Sequence, residues 1–359
     1  MTWRWWHFLS LGVGASGLAW ILTPLAGQIA RNKGILDRPT EGKHKSHRSP
    51  VPYLGGMAVL SAFLAVVAAP VVIDQTAAIN RQIIGVIAVA TCLAVIGLID
   101  DLRSLPFSIR LLAEVMAGLV IWAGGARVQF SNVSAIDLFL TVAWVVGVTN
   151  AFNLMDNMDG LSAGIAAIAS TGFFAVAVAN DQFLVAGVAI AIAGSALGFL
   201  FHNFHPASIY MGDAGALFFG LMISFLGLKT QMSSVHSMPY LAPLVILLIP
   251  LLDTSLVTIS RLRHGLSPFQ GGRDHLSHRL LRSGLQIRPV ALVLYTCAAT
   301  CGVVGYVIAR TDGTSALILF CLAVSVAGLV GFGLYRVPVY ETSRRPLYRF
   351  SRSVDEQSS

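Results

Sequence analysis

Residues 82–103 read QIIGVIAVATCLAVIGLIDDLR, and this stretch combines the two features that decide the fold. Its first part, residues 82–99, is an apolar run of the length that a helix needs to cross a bilayer core about 30 Å thick. The run ends at two adjacent carboxylates, Asp100 and Asp101, which are costly inside lipid and tolerable at its boundary. The stretch therefore predicts a membrane-spanning helix with a polar group at one end.

The composition of the whole chain agrees with a membrane protein. Of its 359 residues, 55% are hydrophobic and only 11% are charged, whereas soluble domains carry about 25% charged residues. The predicted fold class is all-α, with one polytopic transmembrane domain over residues 1–340 and a short polar cytoplasmic tail over 341–359. We expect about eleven transmembrane helices, at residues 8–29, 54–73, 82–99, 107–124, 134–150, 161–179, 183–201, 209–228, 239–260, 290–309 and 314–335.

Lysine and arginine are distributed unevenly between the two sides of such a bundle. With the N-terminus outside, 19 of the 24 basic residues fall on the inner side. Because cytoplasmic loops are enriched in Lys and Arg, the asymmetry predicts an outside N-terminus and a cytoplasmic C-terminus. The same rule explains the net charge of +7, so the charge does not call for nucleic acid as a partner.

Four polar side chains recur every three residues around the end of the fifth predicted span: Asn150, Asn153, Asp156 and Asp159. On a helix this spacing places them on one face. A face of amides and carboxylates without a basic neighbour suits Mg²⁺, which takes oxygen ligands. The structural alternative is a polar turn that caps two spans.

Three acids on the inner side each allow two interpretations. Asp100 and Asp101 can bind a metal, or one can accept a proton while the other holds it in place; the pair can equally be a polar stop signal. Asp213 lies in the run GDAG, residues 212–215. Its glycines allow backbone to approach a ligand closely, but an acid at the start of a span is also a common helix N-cap.

Two inner loops contribute basic side chains. His275 and His278 lie three apart beside Arg279, and on one helical face this group suits phosphate binding. No Cys or third His lies at a usable spacing for zinc. The loop after the first span carries Lys45 and His47. The basic residues of that loop can equally serve only to set the orientation of the protein in the membrane, by the preference of Lys and Arg for the cytoplasmic side.

Two further acids lie inside predicted spans. Asp253 belongs to the ninth span and Glu114 to the fourth. Ionisable side chains within a membrane are rare and mark functional sites by default. Both acids are therefore secondary candidates, Asp253 the stronger of the two.

Over about residues 31–290, the order of these motifs resembles the polyprenyl-phosphate N-acetylhexosamine-1-phosphate transferase superfamily. The HLSHRL loop, residues 275–280, is more similar to the undecaprenyl-phosphate GlcNAc-1-phosphate transferase branch than to the branch that transfers phospho-MurNAc-pentapeptide. The resemblance implies a Mg²⁺-dependent enzyme, with Mn²⁺ as a substitute. It would transfer a sugar-1-phosphate, with GlcNAc-1-phosphate expected, from a UDP-sugar to undecaprenyl phosphate and release UMP.

The resemblance also implies a place and partners for this reaction. The site would face the cytoplasm at a bacterial inner membrane, surrounded by membrane lipids. The reaction would start a cell-envelope polysaccharide. By analogy alone, the chain would form a homodimer.

Individual roles follow from the same resemblance. Asn153 and Asp213 match metal-binding positions, Tyr210 matches an aromatic residue that stacks on uracil, and Asn203 a uracil contact. The catalytic acids are Asp100, Asp101, Asp156 and Asp159. The remaining substrate-binding positions are Lys45, His47, Arg110, Asn150, His275, His278 and Arg279.

Two other classes of membrane protein are alternatives to this interpretation. A transporter or flippase of a lipid-linked sugar predicts polar groups near the bilayer midplane and often an inverted repeat. In this chain the polar clusters lie at one predicted face. A CDP-alcohol phosphatidyltransferase would gather its acids in one motif, whereas here they are spread over several loops.

Overall fold

The computed structural model describes residues 3–37, 50–73, 81–131, 133–230, 238, 240–268 and 271–340. The predicted all-α class is confirmed, since helices dominate the described residues. The elements in chain order are α1 (Trp5–Asn32), β1 (Leu36–Asp37), β2 (Val51–Pro52), α2 (Gly55–Ile73), α3 (Arg81–Arg103), α4 (Phe107–Ala123), α5 (Ser134–Met155), α6 (Leu161–Ala179), α7 (Phe183–Asn203), α8 (Gly212–Lys229), α9 (Leu241–Ile246), α10 (Leu248–Arg263), α11 (Leu276–Arg282), α12 (Ile287–Arg310) and α13 (Gly313–Tyr335).

The helices agree with the predicted positions of the spans. Eight helices in the described part of the chain, α1, α3, α5 to α8, α12 and α13, are long and apolar enough to cross a membrane. The predicted spans 54–73 and 107–124 correspond to the helices α2 and α4, and the span 239–260 is divided at Leu247 between α9 and α10. The chain is therefore a polytopic helical membrane protein, and the count of about eleven spans stays a prediction.

Helix α8 lies at the centre of the bundle. Every residue from Ala214 to Leu228 is buried, and α8 contacts α2, α3, α5 and α6. Phe218 of α8 packs edge to face against Phe63 of α2, with ring centroids 5.4 Å apart. By contrast, α13 lies at the periphery and leaves most of its surface exposed. An apolar surface of this kind is compatible with contact with lipid tails in a membrane.

Glycines let three helices meet closely at one end of the bundle. A Cβ atom on Gly56 of α2 would lie 2.2 Å from the backbone nitrogen of Gly215 in α8. A Cβ atom on Gly97 of α3 would lie 2.6 Å from the backbone of Asp213. Small residues permit this kind of contact between membrane helices. The end of α3 therefore touches the beginning of α8.

This end of the bundle is called the motif end. Here α3, α5 and α7 end and α4, α6 and α8 begin, so most of the predicted polar motifs fall at it. The short strands β1 and β2 lie here too, paired antiparallel with Leu36 opposite Pro52 and Asp37 opposite Val51. The strand pair was not predicted, because two residues are too short for a periodic pattern.

The close approach of α3 to α8 gives a first prediction. Replacement of Gly97 by Ala forces a methyl group against the α8 backbone, and overpacking of this kind costs about 1–3 kcal/mol. We expect G97A to lower the thermal unfolding temperature of the purified protein in detergent. The matched control is G85A on the same helix, where no described residue from another part of the structure lies within 4 Å of the added Cβ. Equal unfolding temperatures for G97A and G85A would contradict the packing argument.

Candidate active site

Asp101 caps the beginning of α8. Its carboxylate accepts hydrogen bonds from the backbone N–H of Asp213, at 2.9 Å, and of Ala214, at 3.4 Å. Asp213 provides no side-chain cap of its own. Gly212 has φ +70° and a Cβ there would lie 2.4 Å from Asp101 Oδ2, so this position requires glycine. The interpretation of Asp213 as the N-cap is therefore wrong, and the cap comes from the neighbouring helix.

The glycines of the GDAG run therefore contact protein. Gly212 approaches the Asp101 carboxylate, and Gly215 approaches α2 at Gly56. Both glycines thus have a packing role, and the close approach of backbone to a ligand stays a prediction. They set the position of α8, and with it the position of the Asp213 side chain.

Arg110 of α4 joins the acids of two other helices. Its Nη1 donates to Asp100 Oδ2 at 2.7 Å and to Asp213 Oδ2 at 2.8 Å. The second oxygen of Asp213, Oδ1, accepts from Asn153 Nδ2 at 2.7 Å. Asp100 also accepts from the backbone N–H of Leu105 through Oδ1. Side chains from α3, α4, α5 and α8 thus meet around one carboxylate, that of Asp213.

One turn deeper, α4 and α5 make a second polar contact. Asn150 donates a short hydrogen bond to Glu114 Oε2 and another, at 3.0 Å, to the carbonyl oxygen of Val146. Glu114 is buried. Asn150, predicted to bind substrate, therefore forms its side-chain hydrogen bonds with protein atoms. Glu114, predicted to be an intramembrane acid, has Asn150 as its partner.

The predicted single helical face of asparagines and aspartates is interrupted. Helix α5 ends at Met155, so Asn150 and Asn153 lie on the helix while Asp156 and Asp159 follow in the next turn. The prediction of four residues on one helix face is wrong for the two acids. Their backbone leaves the helix because the chain turns here towards α6, which begins at Leu161.

Asp156 faces other carboxylates. Burial, together with the negative charges of Asp213, Asp101 and Asp159, raises the pKa of Asp156 to about 8. Among the described residues, no hydrogen-bond donor or ion-pair partner contacts its carboxylate. A bound cation would relieve this repulsion and keep Asp156 ionised.

Asp159 and Asn203 connect the loop between α5 and α6 with the loop between α7 and α8 through hydrogen bonds. Asp159 Oδ2 accepts from His205 Nδ1 at 2.7 Å and from the backbone of Ala207 at 3.1 Å. Buried Asn203 accepts from the backbone of Gly160 and donates to the carbonyl of Ile209. The amide of Asn203 therefore contacts backbone through both Oδ1 and Nδ2, and its predicted uracil contact stays a prediction. His205 was missed as a partner, although its position next to a proline in the NFHP run was visible.

Tyr210 lies between these loops and the beginning of α8. Its backbone N–H donates to Pro52 at 2.9 Å, and its carbonyl accepts from Gly55 at 3.0 Å. The ring of Tyr210 lies 6.1 Å from that of Tyr53. The segment that follows β2 is thereby fixed beside the GDAG run. Two residues predicted from the preceding loop, Lys45 and His47, lie outside the described residues.

His275 is a buried partner of the intramembrane acid Asp253. Asp253 Oδ2 lies 2.8 Å from His275 Nδ1, and Asp253 Oδ1 accepts from the backbone N–H of Leu276. Helix α11 begins at Leu276. His275 thus precedes the helix and does not share a helical face with His278, contrary to the prediction.

Arg279 is also buried and occupied by protein atoms. It donates to the carbonyl oxygen of Asp274, to Ser260 Oγ and to three carbonyls that end α13, those of Leu334, Tyr335 and Val337. Phosphate binding by Arg279 is therefore left out of the proposal below. Its role in the structure is to join α11 to the end of α13.

His278 keeps more exposure than these neighbours. Burial, together with the neighbouring His275 and Arg273, lowers the pKa of His278 to about 4, so its imidazole is neutral at pH 7. Ser277 donates to Asn157 at 2.6 Å, which ties α11 to the turn that carries Asp156. A neutral imidazole near this turn can form a hydrogen bond with phosphate but does not add positive charge.

The oxygens of Asn153, Asp156 and Asp213 are those that fit a divalent cation. The described residues contain no group of three or more His, Cys, Asp or Glu side chains arranged to hold a metal. Mg²⁺ does not require one, because it binds through one or two carboxylates and completes its octahedron with water and substrate phosphates. The donor chemistry at the motif end therefore fits Mg²⁺ in the presence of a phosphorylated substrate.

Comparison with known proteins adds an independent line of evidence. Residues 83–231 match the family model described as glycosyl transferase family 4. The chain is 33% identical over 284 residues to a probable undecaprenyl-phosphate N-acetylglucosaminyl 1-phosphate transferase of Bacillus subtilis, with 77% of each chain covered. It is 32% identical over 321 residues to a decaprenyl-phosphate N-acetylglucosaminephosphotransferase of Mycobacterium leprae, with 79% of each covered.

A more distant relative has the same kind of name. The chain is 27% identical over 289 residues, and 76% of each chain, to an undecaprenyl-phosphate alpha-N-acetylglucosaminyl 1-phosphate transferase of Escherichia coli K12. The matched region contains α3, α5 and α8, which carry the acids of the site. The chain is therefore a membrane-embedded transferase that belongs to glycosyl transferase family 4, within the polyprenyl-phosphate N-acetylhexosamine-1-phosphate transferase superfamily that its motifs resemble.

Proposed function

We propose that this protein transfers GlcNAc-1-phosphate from UDP-GlcNAc to undecaprenyl phosphate, with Mg²⁺ required and Mn²⁺ as a substitute. One observation carries the proposal: Asp100, Arg110, Asn153 and Asp213 converge from four helices on one polar cluster at the motif end. The names of the relatives support the acceptor and the sugar. The product would be the lipid-linked sugar that starts a cell-envelope polysaccharide.

The reaction is a displacement at phosphorus. A phosphate oxygen of undecaprenyl phosphate attacks the phosphorus that carries the sugar, a new P–O bond forms, and the bond to the α-phosphate breaks to release UMP. Both substrates are anions, so their repulsion must be reduced before they meet. Mg²⁺, when bound, would neutralise diphosphate charge, and Asn153, Asp156 and Asp213 are the residues that would hold it.

Protein residues supply the remaining contributions. Arg110 would add a fixed positive charge beside the phosphates, and neutral His278 would contribute a hydrogen bond. Tyr210 would stack on the uracil ring. Asp100 holds Arg110 in place, whereas Asp101 acts through the helix that it caps, so we assign Asp101 a positioning role instead of the catalytic role that its sequence motif implied.

Asp159 is likewise a positioning residue in this proposal. Its carboxylate is occupied by His205 and by the backbone of Ala207. It fixes the loop between α7 and α8 relative to the loop between α5 and α6. The loop between α7 and α8 contains Tyr210 and leads to the beginning of α8. A shift of this loop would therefore displace both.

The test uses purified full-length protein in detergent with undecaprenyl phosphate, and it measures UMP release from a panel of UDP-sugars. We expect release from UDP-GlcNAc that depends on Mg²⁺, stops with EDTA and is absent with UDP-MurNAc-pentapeptide. Release from another UDP-sugar alone would overturn the sugar assignment. If folded protein releases no UMP from any donor, the result would favour the alternative function, a transporter or flippase of a lipid-linked sugar.

The cation cluster predicts the effect of two substitutions. Asp213→Asn and Asn153→Ala should each lower UMP release at least about a hundredfold, as for loss of one preorganised charge-stabilising group. The thermal unfolding temperature should stay close to that of the unchanged protein. Asp181→Asn is the matched control, because Asp181 is exposed in the loop between α6 and α7 at the opposite end. Full activity in either site variant would remove the metal assignment.

The cap formed by Asp101 predicts a difference between two substitutions at one position. Asp101→Asn keeps an oxygen that can accept from the first turn of α8, whereas Asp101→Ala removes it, and loss of a cap costs about 0.5–2 kcal/mol. We expect Asp101→Ala to lower both the unfolding temperature and UMP release more than Asp101→Asn does. Equal and complete loss of UMP release in two equally stable variants would instead assign Asp101 as a base.

The proposed place of the reaction is the cytoplasmic face of a bacterial inner membrane, with the N-terminus outside and the C-terminus inside. The support is the excess of Lys and Arg in the predicted inner segments. A fluorescent protein that folds only in the cytoplasm, fused after Ser359, should therefore fluoresce. Alkaline phosphatase at the same position should be inactive, and activity there would invert the topology. The homodimer stays a prediction by analogy.

A further inference from the structure

A polar cavity lies at the end of the bundle opposite to the motif end. Its volume is about 370 Å³, within the range of small-ligand sites. Helix α4 ends here and α5 begins here, whereas Asp213 lies at the other end of both helices. The cavity is lined by Trp122, Arg127, Gln129, Ser131, Ser134 and Asp137, and so combines a cation, an anion and neutral hydrogen-bonding groups.

The connection between α4 and α5 is held in place around this cavity. The Val128 N–H donates to Thr141 Oγ1 at 3.0 Å, and the Gln129 N–H donates to the hydroxyl of Tyr240 at 2.6 Å. Gln82 of α3 donates to the carbonyl of Gly124 at 2.6 Å. Helix α5, helix α3 and the residue that precedes α9 therefore hold this connection.

Two lining groups can each form a further hydrogen bond. Buried Asp137 accepts from Phe130 N–H, Ser131 N–H and Ser131 Oγ, all through Oδ1, and no described residue donates to its Oδ2. The indole Nε1–H of Trp122 is buried and has no acceptor among the described residues. A buried polar group without a partner costs about 1–3 kcal/mol. A ligand that accepts from Trp122 would recover that cost, and the same ligand could donate to Asp137 Oδ2.

We propose that this cavity binds the headgroup of a phospholipid that carries a primary ammonium as well as a phosphate. The ammonium would donate to Asp137 Oδ2, and the phosphate would accept from Arg127 and from Trp122 Nε1–H. A single ligand thereby meets the anion, the cation and the unsatisfied indole. This site is separate from the transferase site and does not depend on the proposed reaction.

The position of the cavity supports a lipid as the source of this headgroup. The apolar helices α4 and α5 end at this level, where the headgroup region of a bilayer begins. Phe130 and Phe139, 72% and 70% exposed, are close in sequence to the lining residues and give this end of the bundle large exposed apolar rings that lipid could cover. The acyl chains of the lipid would run along the apolar helix surface.

The test measures lipid binding to the full chain by native mass spectrometry after delipidation in detergent. The probes are phosphatidylethanolamine, phosphatidylglycerol and phosphatidylcholine with identical acyl chains, and glycerophosphoethanolamine without chains. We expect phosphatidylethanolamine to bind about tenfold more tightly than the other two lipids, the size of one charge-assisted hydrogen bond. Glycerophosphoethanolamine should bind much more weakly than the intact lipid.

Two variants separate the ammonium from the phosphate contact. Asp137→Asn keeps Oδ1 for the loop and replaces Oδ2 with an amide donor, so the preference for phosphatidylethanolamine should disappear. Arg127→Gln should weaken the ethanolamine and glycerol lipids alike and leave their ratio unchanged, which also tests the site if Asp137→Asn does not fold. Asp181→Asn, an exposed acid at the same end of the bundle, should change neither.

Several results would overturn the proposal. Equal binding of phosphatidylethanolamine and phosphatidylglycerol would exclude the ammonium contact with Asp137. Equal binding of phosphatidylcholine would exclude an ammonium that donates hydrogen bonds. Equal binding of glycerophosphoethanolamine would assign the cavity to a small water-soluble ligand, and an unchanged preference in Asp137→Asn would place the lipid elsewhere.

Discussion

The hydrogen bonds between the first turn of α8 and the carboxylate of Asp101 hold the site together. They are possible only because Gly97 lets α3 approach the α8 backbone and because Gly212 leaves room for the carboxylate itself. An acid that caps a helix of another segment satisfies backbone donors that would otherwise be exposed to a low-dielectric surrounding. Every other contact of Asp213 follows from this arrangement, since α8 cannot rotate without breaking it.

The charge at the motif end is unbalanced. Asp100, Asp101, Asp156 and Asp213 lie close together, and among the described residues Arg110 alone is paired with any of these four. Nearby carboxylates disfavour one another's ionisation. The described residues therefore have a local excess of negative charge that a cation can neutralise, and this is the physical reason for proposing that the protein requires Mg²⁺.

Helix positions were predictable from the sequence because each span needs a long apolar run, as residues 82–99 show. The meeting of Asp100, Arg110 and Asp213 was predictable only as a shared membrane face, not as contacts. The partners of Arg279 were not predictable, because carbonyls that end α13 lie more than fifty residues away in the chain. Asp253 was identified as an unusual acid, but its partner His275 depended on a turn with no periodic pattern.

The loop that carries His278 is fastened to the last helix by several strong contacts. Arg261 forms a buried ion pair with Asp274, whose carboxylate also accepts from the hydroxyl of Tyr340, while Arg279 binds the carbonyls at the end of α13. The residues at and after the end of α13 thus hold this loop in place. For protein engineering, a truncation that removes Tyr340 would remove its hydrogen bond to Asp274, so an affinity tag or fusion partner belongs beyond that residue.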